Sequence, residues 1–119
     1  MSRKGSRMRR VDESLREVIA AEVTRLKDPG LGFVTVTGVA TSPDLRAARV
    51  YYSVLGDDAD KAATQAALDR AAPRVQAVVG REVRMKYNPR LEFVYDASIE
   101  QGVRMDRLLY ELEERDDDA

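Results

Sequence analysis

Between Phe33 and Leu55 apolar and polar positions alternate with a period of two, in two runs of Val, Thr and Tyr that suit a pleated sheet. In the first run, Phe33 to Thr41, Val34 and Val36 share one parity and Thr35 and Thr37 the other, until Gly38 interrupts. A glycine there marks a bulge, since Val39 then changes face. In the second run, Arg46 to Leu55, Ala48, Val50, Tyr52 and Val54 share a face opposite Ala47, Arg49, Tyr51 and Ser53. Ser42-Pro43-Asp44 joins the runs with turn chemistry: proline presets φ, and the Ser and Asp side chains bond nearby backbone. The pattern predicts a β-hairpin.

On either side the period changes to that of a helix. Val11, Leu15, Val18, Ile19, Val23 and Leu26 form one stripe, which Asp28-Pro29-Gly30 terminates. That stripe should pack on the sheet. After the hairpin, Asp57 or Asp58 can cap a second helix whose expected inner face is Ala59, Ala62, Ala63, Ala66, Ala67 and Leu68. Pro73 then either kinks this helix or ends it and starts another, with Val75, Val78 and Val79 inward and Gly80 as its C-cap. From Arg81 the period returns to two. Val83, Met85 and Tyr87, then Leu91, Phe93 and Tyr95, predict a third strand split or bent at Pro89. Ser98 and Gln101 have capping-box spacing before a last helix carrying Ile99, Val103, Met105, Leu108, Leu109 and Leu112. The fold class is α+β, a single domain with a three-stranded mixed sheet and helices packed on one face. A parallel third strand would require a crossover, right-handed by default.

Composition narrows the chemistry. The 119 residues suffice for one core, and the chain has neither Cys nor His. Disulfides, thiolate nucleophiles and sulfur metal sites are excluded, along with the usual general base and zinc ligand. No apolar run approaches the roughly 18 residues of a membrane span, and no signal-peptide core follows the first residues, so the expected location is cytoplasmic. Asp57, Asp58 and Asp60 lack calcium-loop spacing and read as a helix start. No metal, cofactor or catalytic residue is expected, and the chain is not read as an enzyme.

The net charge of −1 conceals segregation. Residues 1–10 form a basic flexible arm with Arg3, Lys4, Arg7, Arg9 and Arg10, and residues 113–119 an acidic flexible tail. Inside the body, residues 70–90 hold Arg70, Arg74, Arg81, Arg84, Lys86 and Arg90 against Glu82 alone. Arginine forks suit bidentate phosphate contacts, so these eleven side chains are the candidate RNA-binding set. The alternative is that they are solubility charges, on a protein-interaction module that uses its last helix or a sheet edge. Tyr52 and Phe93 sit at core parities, and Tyr51 and Tyr87 are better placed for exposure. No aromatic platform is evident, which favours reading RNA by backbone and shape.

The ordered set Lys27-Asp28-Pro29, Gly32-Phe33-Val34-Thr35-Val36-Thr37, Val39, Ser42-Pro43-Asp44-Leu45 and Ala48-Arg49-Val50-Tyr51 resembles the ribosome-binding factor A family. The resemblance continues through Pro89, Leu91-Glu92-Phe93, Asp96-Ala97-Ser98, Gly102, Arg104 and Leu108-Leu109, covering roughly residues 5 to 110. It implies a KH-like domain of the second type over residues 11–112, with a kinked helix near Pro73. It also implies a non-enzymatic factor, expected to be monomeric, that binds the free small ribosomal subunit, assists 16S rRNA processing and is linked to growth in the cold. Where KH domains carry a Gly-x-x-Gly loop and this family an Ala-x-Gly-like break, the present chain has Ala71-Ala72-Pro73.

Overall fold

The structure, a computed structural model, describes residues 5–85 and 87–97, with side chains from Met8 onward. The first helix, α1, spans Gly5–Arg25. It starts earlier than the apolar stripe alone predicts, because no helix breaker separates Gly5 from Val11 and Arg and Met are good helix formers. Residues 5–10 of the expected arm therefore belong to α1. Leu15, Ile19 and Val23 are buried, while Val11, Val18 and Leu26 pack at the core margin, as the stripe predicts. Past the helix, Asp28 turns the chain: its Oδ1 accepts the Gly30 N–H at 2.9 Å and its carbonyl accepts the Leu31 N–H at 3.0 Å.

Strands β1 (Val34–Thr41) and β2 (Ala47–Val54) form the predicted antiparallel hairpin. Asp44 Oδ1 closes the turn by accepting from Ser42 Oγ at 2.7 Å and from the Arg46 N–H at 3.1 Å. The bulge lies where Gly38 signals it. Val36 pairs with Tyr52 and Gly38 with Tyr51, so Thr37 is the extra residue. Val39 opposite Val50 and Thr41 opposite Ala48 thereby join Val34 and Val36 on the inner face. Without the bulge, the second half of β1 would turn its apolar residues to solvent.

Helix α2 is one 25-residue helix, Asp58–Glu82, that continues through Pro73. Asp57 is the N-cap in a reciprocal capping box: Asp57 Oδ1 accepts the Asp60 N–H and Asp60 Oδ2 the Asp57 N–H, both at 2.9 Å. Proline removes one helical hydrogen bond, but Leu68 on one side and Val75 and Val79 on the other are buried in the same core and keep both halves in one helix. The expected inner face is corrected: Thr64, Ala67 and Leu68 are buried, whereas Ala59, Ala62, Ala63 and Ala66 are exposed. The helix rolls its larger side chains inward, because a methyl group contributes less burial than Leu or Val. Thr64 is accommodated because its hydroxyl accepts the Gly32 N–H at 3.3 Å.

The C-cap is Val83, in extended backbone, instead of Gly80. Gly80 serves a close approach, since a Cβ there would lie 2.8 Å from Asn88 Nδ2. The third strand is also shorter than the alternation predicts: β3 spans Arg90–Tyr95, and Arg81 and Glu82 finish α2. A strand needs a neighbour. β3 runs parallel to β2 with Arg90 beside Ala47, the first residue of β2, so residues before Arg90 have no strand to pair with. Gln76 substitutes for one by accepting the Leu91 N–H at 3.0 Å and donating to Pro89 O at 2.5 Å. The sheet order is β1-β2-β3, mixed, with both helices against the face that carries Val36, Val50, Tyr52 and Phe93. The last helix and acidic tail expected from the sequence lie outside the described residues, as do Arg3, Lys4 and Lys86.

Candidate nucleic-acid interface

The sheet has two chemically distinct ends. At the turn end lie the close of β1 and the starts of both β2 and β3. Asp12 pins α1 to this end: its Oδ1 accepts the Thr41 N–H at 3.1 Å and the Thr41 hydroxyl. The exposed Arg9 and Arg10, one turn earlier, are thus brought to the hairpin turn. The close of α2 arrives at the same place. Arg10 and Arg84 share an open groove of ≈ 440 Å³ with Ser14, Glu17 and Glu82. Helix α1 therefore meets the predicted patch through tertiary contact, across some seventy residues of sequence.

Arg90 opens β3 on the same end, and its N–H donates to Arg46 O at 2.9 Å. A second depression, of ≈ 300 Å³, is lined by Arg46, Arg49, Arg90 and Glu92 with two alanines. The Arg46 guanidinium lies 4.3 Å from the centre of the Tyr87 ring, which orients its fork without neutralising it. Arg49 Nε is 3.9 Å from Glu92, with both side chains more than half exposed. Arg46 and Arg49 are absent from the candidate set. The outward parity of Arg49 is legible, but nothing local connects the hairpin to residues 84–90. Among the described residues, Arg9, Arg10, Arg81, Arg84 and Arg90 make no ion pair, and all five are exposed.

Two predicted residues have other work. Arg70 places a bidentate fork on Asp28, Nε to Oδ2 at 3.1 Å and Nη2 to Oδ1 at 3.0 Å, and so ties α2 to the α1–β1 connection. That fork, followed by the Gly30 amide, holds the Asp28 carboxyl below its usual range. Arg74 Nε sits 3.4 Å from Glu22, a carboxylate buried to 6 % exposure that also has Arg25 at 3.7 Å. A buried carboxylate needs such compensation. The side chain of Arg7 is not described.

The aromatics follow parity. Tyr52 and Phe93 are buried, and the Tyr52 hydroxyl donates to Gln65 and is pushed up by burial. Tyr51 and Tyr87 are half-buried, so neither offers an open stacking surface. No Gly-x-x-Gly loop interrupts α2, so this end offers arginine side chains and no backbone clamp of the KH type. No helix among the described residues is long and apolar enough to cross a membrane.

A helix, a hairpin, a crossover helix and a parallel third strand, with both helices on one face, define a KH-like α+β domain; here it bears a basic end. The chain belongs to the ribosome-binding factor A family, whose sequence profile matches residues 7–109. It is 39% identical over 109 residues to ribosome-binding factor A of Geobacter sulfurreducens, covering 91% of this chain and 92% of that protein. The crystal structure of ribosome-binding factor A from Thermus thermophilus matches with a TM-score of 0.66 at 34% identity, over 73% of this chain and 93% of that one. A homology model of the Thermus thermophilus factor, fitted into a cryo-EM map of a complex with the 30S subunit, matches with a TM-score of 0.61 at 34% identity, over 72% and 91% of the two chains.

Proposed function

We propose that this protein is a maturation factor that binds the free small ribosomal subunit through 16S rRNA, without catalysis, and assists processing of that RNA in the cytoplasm. The observation that carries the reading is the convergence of Arg9, Arg10, Arg84 and Arg90 on one end of the sheet, with Arg81 in the last turn of α2; none of them is ion-paired among the described residues, although Glu17, Glu82 and Glu92 line the same depressions. The Thermus thermophilus relative placed in a 30S complex supports the choice of particle. Arm residues Arg3, Lys4 and Arg7, together with Lys86, extend the same contact, while Arg70 and Arg74 hold the fold. Each phosphate neutralised releases condensed counterions, so affinity should fall steeply with salt. The mechanism is differential binding: the factor stabilises one arrangement of immature RNA and leaves when the site changes, and low temperature, which slows RNA rearrangement, increases the need for it.

Co-sedimentation across a salt series tests this with purified small subunits, large subunits and joined ribosomes. Selective, salt-sensitive retention on free small subunits is expected. Equal retention on all three particles would reduce the basic end to general RNA affinity and refute the assignment.

A further inference from the structure

The other end of the sheet carries different chemistry. Phe33 leads into β1 and Leu55 leaves β2, and the Leu55 N–H donates to Phe33 O at 3.4 Å, which makes the two residues neighbours. Their side chains stand 83 % and 77 % exposed. Beside them, α2 presents Ala59, Ala63 and Ala66, all exposed and spaced to share one helix face. The segment 30–33 lies directly against that helix. The Gly32 N–H donates to Thr64, and a Cβ at Gly30 would sit 3.2 Å from Ala63 O. Phe33 and Leu55 therefore stand at the end of the molecule where the alanine face of α2 begins, a face bordered beside Gly30 by Arg70 in its pair with Asp28. The rim of this end carries three carboxylates against one lysine: Asp57 and Asp60 are held in the capping box, and Asp58 projects into solvent with Lys61 Nζ 4.0 Å away.

We infer that this end docks a basic protein segment bearing apolar anchors, contributed by a ribosomal protein of the small subunit. The inference rests on the small-subunit reading above. Carboxylates around the patch repel RNA phosphates and attract Lys and Arg, while Phe33 and Leu55 supply the large apolar side chains that dominate protein contacts. Exposed methyl groups along α2 let a partner backbone approach closely. The basic end would then hold RNA and the opposite end hold protein, orienting the factor on its particle.

A photoreactive benzophenone side chain at position 33 tests the assignment on purified small subunits, with the same group at position 84 as reference. The expected products are a crosslink to a ribosomal protein from position 33 and to rRNA from position 84. A crosslink from position 33 to rRNA, to residues 98–119 of the same chain or to a second copy would overturn the inference, as would none at all with particle binding intact. Retention of the unmodified protein is measured alongside, so that failure of the small-subunit reading is seen separately. In parallel, Phe33→Ser combined with Leu55→Ser should weaken binding to intact small subunits about tenfold and leave binding to protein-free 16S rRNA unchanged. Equal losses on both ligands would refute a protein contact.

Discussion

The two ends of the sheet are built from the same three strands and differ in what the connections deliver to them. At the turn end, Asp12 binds the hairpin and Gln76 binds the start of β3, and each anchor brings arginines from a different part of the chain. At the open end, the connections are a capped helix start and a loop laid against α2, and they leave apolar side chains and carboxylates outside. A single small domain thus separates a cluster of exposed arginines from a pair of exposed apolar side chains flanked by carboxylates by about the length of a strand. Neither end needs a dedicated loop, since anchoring the connections is enough.

Three changes test how independent the ends are. The largest effect should come from replacing Arg10, Arg81 and Arg84 together with Ala. Small-subunit affinity should fall about a hundredfold at low salt, with the log–log salt slope reduced by roughly two to three. These residues are exposed, so the melting temperature should hold; an unchanged slope would remove the turn end from the interface. Next is Gly56→Ala at the open end. Gly56 has φ +137°, and a Cβ there would overlap the Asp60 carboxylate that completes the capping box. Equilibrium denaturation should show a loss of about 2 kcal/mol. The salt slope of the folded fraction should be unaffected, and a change in it would mean that the two ends communicate.

The smallest effect is one of pH. The Arg70 fork lowers the Asp28 carboxyl, and the Asp60 amide lowers that of Asp57. On acidification the unfolded chain takes up these protons first. Both groups therefore contribute stability above the ordinary carboxylate value of about 4, and that contribution is lost as the pH falls through their lower folded values. Arg70→Ala should lower the melting temperature at neutral pH and make the acid-side decline shallower, while leaving the salt slope intact. A flattened slope would instead return Arg70 to the RNA contact.

The hairpin, the first helix stripe, the bulge at Gly38 and the cap at Asp57 were all legible in the sequence. Each depends on neighbours a few residues apart: parity, helical period, a glycine, a side chain that meets its own backbone. The alternation from Val83 to Tyr87 was misleading, because a strand exists only where another strand can pair with it, and β2 begins at Ala47 beside Arg90. Exposure of Ala59, Ala62, Ala63 and Ala66 was equally out of reach, since α2 has apolar residues on two faces and the sheet chooses the bulkier one. The ion pairs of Arg70 and Arg74 were not legible, because their partners Asp28 and Glu22 lie more than forty residues away.

Alone, the sequence determined the class of the protein: the α+β order of elements, the absence of Cys and His chemistry, the segregated charge and the family pattern. Tertiary structure decided which arginines remain available, which share an end, and that exposed apolar side chains flanked by carboxylates lie at the other. Local periodicity reports what each segment buries. Only packing brings distant charges within reach of one another, and Coulomb interactions act over that distance in space, whatever the separation along the chain.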